Sequence, residues 1–118
     1  MDERLEVKVA RTHPDAKLPT RGSEYAAGWD LYALEDTEVP FRQSMKLRTG
    51  LHVAIPVGYE GQVRARSSLG SKGLILPHSV GTIDADYRGE LFVLMTWIGE
   101  GGSYTVKAGE RIAQMLIS

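Results

Sequence analysis

The sequence predicts an all-β fold, of the kind that closes as a sandwich, a jelly roll or a barrel. Three observations carry this. Apolar residues recur with a period of two, turn-forming residues interrupt them at short intervals, and no window longer than about two turns keeps a helical period. Alternation sends successive side chains to opposite faces of a pleated strand, so one face can be buried while the other meets water.

In chain order, Leu5, Val7 and Val9 alternate with charged residues and predict an opening strand. Pro19 to Gly22 marks a turn. Leu47, Thr49, Leu51, Val53 and Ile55 alternate with Arg48, Gly50, His52 and Ala54, which predicts one continuous strand closed by Pro56-Val57-Gly58. A short helix is expected next, with Ser67 or Ser68 as N-cap, an end at Ser71 or Lys72, and Gly73 as the stop. Leu91 to Ile98 is a denser apolar run, as expected of a strand buried on both faces. Gly99 to Ser103 reads as a hairpin loop, Tyr104 to Lys107 as a strand, Ala108-Gly109 as a turn and Arg111 to Ile117 as the last strand. Simple alternation there puts Ile112 and Gln114 on one face, and Arg111, Ala113 and Met115 on the other. With no repeat, low-complexity tract or linker, residues 1–118 read as a single domain.

Composition narrows the function. A net charge of −1 gives no electrostatic case for a nucleic-acid or acidic-membrane partner. The absence of cysteine excludes disulfides and thiolate metal sites. The start, Met1-Asp2-Glu3-Arg4, lacks the apolar centre of a signal peptide, and no apolar run approaches membrane-spanning length. The expectation is a cytoplasmic protein. A chain of 118 residues buries a modest core, so burial in an oligomer would help.

Four segments concentrate polar chemistry. Gly81-Thr82-Ile83-Asp84-Ala85-Asp86-Tyr87-Arg88-Gly89-Glu90 places carboxylates beside an aromatic ring, a layout that suits a small polar site at the mouth of a β-hairpin. Taken alone, Asp84-Ala85-Asp86 reads more simply as a turn whose carboxylates cap their own backbone, and it is the other segments that reverse this. In Arg66-Ser67-Ser68-Leu69-Gly70, a turn entering a helix aims unpaired N–H groups one way and Arg66 adds a forked cation, which together suit an anion. The plainer alternative is a serine N-cap with a surface arginine. Asp30 follows Ala26-Ala27-Gly28-Trp29, where small residues let backbones pack closely; it is otherwise a strand-end carboxylate. Gln114, in Gly109-Glu110-Arg111-Ile112-Ala113-Gln114, is otherwise a satisfied polar edge residue. His13, His52 and His78 are too widely spaced to suggest zinc.

In order and spacing, these segments resemble the first four motifs of the trimeric dUTP diphosphatases (dUTPases), over roughly Ala26 to Ile117. The resemblance implies a distorted jelly roll with one short helix, assembled as a homotrimer. Active sites would lie at subunit interfaces, with the phosphate segment and the hairpin coming from different chains. It implies hydrolysis of dUTP to dUMP and diphosphate by water attack on the α-phosphate, assisted by Mg²⁺. Asp84 would be the general base and would also accept a hydrogen bond from the 3′-hydroxyl. Tyr87 would lie flat beneath the sugar and exclude a 2′-hydroxyl. Arg66, Ser67, Ser68 and Gly70 would hold the phosphates, with Ser67 near the oxygen bridging the α- and β-phosphates. Asp30 would reach Mg²⁺ through water. Gln114 would contact phosphate oxygens or metal-bound water, and Arg111 would brace the site through an ion pair. The hairpin from Leu74 to Tyr87, with His78, Gly81 and Ile83, would form the base pocket, where backbone groups pair with uracil and leave cytosine mispaired.

The sequence departs from the family pattern in three places. His78 stands where an asparagine is usual. Arg66-Ser67-Ser68-Leu69 replaces the common Arg-Ser-Gly-Leu, and the segment is about one residue shorter before Gly73. The Arg-Ser-Ser-Leu form resembles that of the related dCTP deaminases, but their acid/base glutamate falls at Leu94 here, and leucine moves no proton. Third, Ser118 follows the fourth motif directly, without the family's Gly-rich fifth motif. The expectation from that is nucleotide binding better retained than turnover, with a tailless nucleotide-binding module as the rival to an active enzyme.

Overall fold

A computed structural model describes residues 5–118; the charged start, Met1–Arg4, lies outside the described residues. In chain order the elements are β1 (Lys8–Arg11), β2 (Trp29–Tyr32), β3 (Thr37–Pro40), β4 (Ser44–Arg48), β5 (Leu51–Ala54), β6 (Gly61–Ala65), α1 (Ser67–Lys72), β7 (Leu74–Ile75), β8 (Val80–Ile83), β9 (Phe92–Trp97), β10 (Ser103–Val106) and β11 (Arg111–Ile117). The strands pair antiparallel in four sheets, ordered β1-β5, β10-β3, β2-β11-β6-β8 and β4-β9-β7. Among the described residues, no strand pairs with its immediate neighbour in the sequence. The chain crosses repeatedly between sheets, and the architecture is the all-β distorted jelly roll with one short helix.

The core fills the space between the sheets. Leu31, Leu47, Leu51, Leu74, Met95 and Ile112 are fully buried and come from strands of different sheets. Each such side chain contributes about 1.5–3 kcal/mol relative to an exposed one. No helix among the described residues is long and apolar enough to cross a membrane.

Several expectations are corrected. The run from Leu47 to Ile55 is two strands, not one: β4 pairs with β9 and β5 with β1. The break falls at Gly50, whose φ of +70° is a left-handed conformation open to glycine at little cost. Thr49 beside it is buried and donates its hydroxyl to the Leu91 carbonyl at 2.7 Å, which fixes the bend. In β9, Val93 and Met95 are buried, but Phe92 remains 43% exposed and Leu94 half-buried. The core face is continuous, whereas the other face is buried only at Thr96; at its exposed end Lys46 of β4 reaches the Phe92 ring at 5.7 Å.

The helix keeps its expected extent but not its expected cap. Its N-cap is Arg66, in extended conformation and without a side-chain capping bond, since a guanidinium offers no acceptor to the helix N–H groups and donates instead to the Arg111 carbonyl. Gly73 ends it as predicted, with φ of +117° and its N–H shared between the Leu69 and Gly70 carbonyls. The segment from Leu74 to Tyr87 is not a hairpin. β7 pairs with β9 and β8 with β6, so the segment passes from one sheet to the other.

Candidate active site

Two clusters hold the polar residues singled out above, one at each end of the β6–β8 ladder. The first begins where β8 ends. Ile83 turns its side chain into the core, so only its backbone faces outward, and the next residue, Asp84, is exposed. The chain then turns: the Tyr87 N–H donates to the Asp84 carbonyl at 3.1 Å. The Arg88 guanidinium donates to the Ala85 carbonyl at 2.6 Å and to the Tyr87 carbonyl at 3.0 Å. The Tyr87 hydroxyl donates to the Glu90 carbonyl at 2.7 Å. Its ring rests on Gly89, where a β-carbon would lie 2.6 Å from that hydroxyl oxygen. Thr82, Ile83, Asp84, Tyr87, Leu91 and Phe92 line an open pocket of about 180 Å³. Among the described residues, the Asp84 carboxylate takes no hydrogen bond or ion pair, so it is free to accept a proton or a ligand hydroxyl.

A frame of charge lies behind this turn. Arg48 grips Glu90 with both prongs of its guanidinium, at 3.1 and 2.9 Å, and the Gly50 N–H adds a longer contact of 3.4 Å. The hydrogen bond from Arg48 holds the Glu90 carboxyl below its ordinary range. His52 donates through Nδ1 to the Arg88 carbonyl at 2.5 Å.

The second cluster is built by β2, β11 and the start of α1. A β-bulge lies between Arg111 and Ala113, and beyond it Gln114 pairs with Asp30. This overturns the simple alternation. The extra residue, Ile112, turns into the core, and Arg111 shares a face with Asp30 and Gln114. Arg111 lies 3.5 Å from the Asp30 carboxylate, the ion pair expected of it, and its carbonyl accepts Arg66 Nη1 at 3.2 Å. The Gln114 amide donates to the Ala65 carbonyl at 3.3 Å. Its Oε1 sits 2.6 Å from where a β-carbon on Gly28 would be, so only glycine lets the amide settle there undisturbed. Ser67 and Ser68 are exposed on the first turn of α1. The Gly70 N–H is already taken by the Arg66 carbonyl at 2.9 Å, which leaves the N–H groups before it for a ligand. His78 lies on the exposed turn before β8, its Cε1 3.4 Å from the position of a β-carbon on Gly81.

Among the described residues, no three His, Cys, Asp or Glu side chains gather as a metal site. Asp30 and Gln114, cross-strand neighbours, supply one carboxylate and one amide. That donor set is too small to hold a divalent ion by itself. It fits a hydrated Mg²⁺ whose other ligands are phosphate oxygens.

A single chain does not join the clusters. Gly61 pairs with Ile83 and Arg64 with Val80, so Asp84 and Arg66 lie beyond opposite ends of one ladder. Roughly six residues at about 3.3 Å each separate them, or roughly 20 Å. The structure brings Asp30, Arg66 and Gln114 together and, apart from them, Asp84 and Tyr87. Sequence reasoning missed the frame of Arg48, Arg88, Gly89 and Glu90. The last three follow Tyr87 directly and could have been suspected. Arg48 lies 42 residues from Glu90 in the sequence, and nothing local ties them.

The sequence pattern of the dUTPase family matches residues 14–118. A deoxyuridine 5′-triphosphate nucleotidohydrolase of Solibacter usitatus is 45% identical over 121 residues, covering 100% of this chain and 82% of that protein. The one from Syntrophotalea carbinolica is 47% identical over 117 residues, covering 97% of this chain and 79% of its own. Among solved structures, a mutant dUTPase of Staphylococcus bacteriophage 80alpha with dUpNHpp is 27% identical with a TM-score of 0.89, covering 96% of this chain and 82% of that one. A mutant dUTPase from phage phi11 of S. aureus, described as coordinating a structural Mg(II) ion, is 24% identical with a TM-score of 0.89, covering 96% of this chain and 90% of that one; it shows the shared fold.

Proposed function

This chain belongs to the dUTPase family, and on that premise we propose that it hydrolyses dUTP to dUMP and diphosphate. The observation that carries the reading is the Asp84–Tyr87 turn, a free carboxylate beside a ring whose hydroxyl and lower face are both held. Asp84 takes a proton from water as its oxygen bonds to the α-phosphorus. The bond from that phosphorus to the bridging oxygen breaks, and diphosphate leaves with the electron pair. Asp84 also accepts a hydrogen bond from the 3′-hydroxyl. Tyr87 lies beneath the deoxyribose and meets any 2′-hydroxyl. The base enters between His78, Gly81 and the Ile83 backbone, whose peptide groups pair with uracil.

The roughly 20 Å between the two clusters supports a shared site. We propose a homotrimer in which Asp84 and Tyr87 of one subunit face Arg66, Ser67, Ser68, Gly70 and Gln114 of a neighbour. Arg66 supplies a fork matched to phosphate, and the exposed N–H groups of the first helical turn supply further donors. Gly70 contributes by leaving open space, since a β-carbon there would meet nothing within 4 Å. Asp30 and Gln114 are the residues that fit the water shell of a Mg²⁺ ion carried by the triphosphate. When bound, that ion neutralises phosphate charge. We further propose that residues 1–118 act as one dUTPase-like domain and that the activity is cytoplasmic.

The test is diphosphate release from dUTP, dCTP, dTTP and UTP with Mg²⁺ present. We expect cleavage of dUTP alone among the four. Equal cleavage of UTP would remove the role given to Tyr87, and no cleavage of any would overturn the assignment. Ammonia release from dCTP would move the chain to the deaminases despite the apolar Leu94. Sedimentation showing a fully active monomer would remove the shared site.

A further inference from the structure

We propose that Arg48 is a positioning residue for sugar selection: by gripping the Glu90 side chain it braces the residue whose carbonyl holds the Tyr87 hydroxyl. This rests on the reading of Tyr87 as the sugar platform. It adds a residue outside the pocket, since Arg48 does not line the wall formed by Thr82, Ile83, Asp84, Tyr87, Leu91 and Phe92.

Tyr87 is 41% exposed, so packing alone does not hold it. It has a floor at Gly89 and one tether, the 2.7 Å hydrogen bond from its hydroxyl to the Glu90 carbonyl. Glu90 lies in no strand or helix, and its carbonyl shares one planar peptide with the Leu91 N–H. The next residue is held through its backbone. The Leu91 N–H donates to the Leu51 carbonyl at 2.8 Å, and the Thr49 hydroxyl donates to the Leu91 carbonyl at 2.7 Å. Upstream, His52 holds the Arg88 carbonyl. The backbone bond from the Leu91 N–H sets the plane of the Glu90 carbonyl; the Glu90 side chain, held by both prongs of Arg48 and by the Gly50 N–H, adds a second hold on the Cα side of the same residue. Arg48 in turn stands on β4, in register with Phe92 of β9, so the grip is anchored to a paired strand. A two-pronged contact fixes angle as well as distance, which a single-point cation cannot do.

The chemistry makes such a tether consequential. Shape alone rejects an added hydroxyl by only about 10²-fold. That discrimination requires a ring that cannot slide, and a shift of a few tenths of an ångström at Tyr87 would admit the 2′-hydroxyl. Loosening Glu90 therefore favours UTP more than it harms dUTP. A pair that merely stabilised the fold would scale both substrates alike.

The test is kcat/KM for dUTP and for UTP in the wild type and in Arg48→Met, Tyr87→Phe and the double variant, with thermal melts alongside. Methionine keeps an unbranched apolar stem and removes the fork. Phenylalanine keeps the ring and removes the tether. The expected dUTP/UTP ratio falls about ten-fold in Arg48→Met, consistent with loss of one charge-assisted contact, and falls similarly in Tyr87→Phe. The double variant should fall no further than either single change, because both act through one tether. Arg48→Lys should retain part of the ratio. An unchanged ratio in Arg48→Met, or losses that multiply in the double variant, overturns the proposal even where melting temperature drops. Should Arg48→Met not fold, Glu90→Gln replaces it in the same cycle, and the same two outcomes support or overturn the proposal. A wild type that cleaves dUTP and UTP equally sinks the Tyr87 reading and this proposal together. A discriminating wild type with an indifferent Arg48→Met sinks this proposal alone.

Discussion

At one end of the β6–β8 ladder, the segment from Asp84 to Glu90 is tied down by contacts of 2.6, 2.7, 3.0 and 3.1 Å and backed by a two-pronged ion pair. At the other end, Arg66, Gln114 and Arg111 reach their partners at 3.2, 3.3 and 3.5 Å. Each end also rests a functional side chain on a glycine, Tyr87 on Gly89 and Gln114 on Gly28. The comparison separates two tasks. Choosing a sugar by shape requires a wall that does not move. Receiving a triphosphate requires cations that can leave weak partners for stronger ones, and an exposed pair such as Arg111–Asp30 contributes only about 0–1 kcal/mol, so little is lost when it yields.

The sharpest break in this comparison is Asp84→Asn. It should lower kcat by about 10²–10⁴-fold, the usual contribution of a positioned base. Affinity for a non-hydrolysable dUTP analogue, followed by titration calorimetry, should barely change. Equal loss of both would mean that Asp84 holds substrate and does not move a proton.

Gly89→Ala comes next. The new β-carbon would meet a rigid ring at 2.6 Å from its hydroxyl oxygen, so the platform must shift. We expect about 1–3 kcal/mol lost in urea unfolding, the usual cost of overpacking, together with a lower dUTP/UTP ratio. Arg66→Ala tests the opposite end. It should raise KM for dUTP about ten-fold, as for one charge-assisted hydrogen bond, with kcat less affected. A kcat loss larger than the KM change would show that Arg66 acts mainly on the transition state.

Gly28→Ala should be milder than Gly89→Ala, although its clash is as close. The atom in the way, Oε1 of Gln114, ends a flexible side chain that can rotate aside. A few-fold rise in KM is expected without loss of sugar discrimination. A larger effect than that of Gly89→Ala would reverse the contrast between a rigid end and a yielding one.

The smallest effect concerns pH. Arg48 holds the Glu90 carboxyl below its ordinary value of 4.5. The unfolded chain therefore binds that proton more readily than the folded one. The stabilisation is present above the ordinary value and is lost as pH falls through the lower folded one. Glu90→Gln should melt below the wild type near neutral pH, and the two melting curves should converge on acidification. Parallel curves would mean that the pair does not act through charge.

Much of this was legible in the sequence, for identifiable reasons. The strand Arg111 to Ile117 and the glycine stop at Gly73 are local events, set by alternation and by one left-handed residue. The bulge at Ile112 was not legible, because it is set by the register of β11 against β2, some eighty residues earlier in the chain. The break at Gly50 was hidden by an apolar alternation that continues through it. The segment Leu74 to Tyr87 read as a hairpin because its turn residues suit one, whereas strand partners are chosen by long-range burial. For the candidate site, the residue types were visible, whereas their placement on different chains came only through the family resemblance and not from any local pattern. That Asp84 and Arg66 lie far apart follows only from the pairing of β6 with β8.

The distance along that ladder has a genetic consequence. In the proposed assembly, a subunit lacking Asp84 spoils only the site to which it lends its carboxylate, and one lacking Arg66 weakens a different site. Two alleles, one inactive and one impaired when alone, would rescue one another when co-expressed, because some mixed trimers would pair an intact donor with an intact acceptor. A cell carrying one good copy and one doubly defective copy would instead suffer a dominant loss, deeper than half.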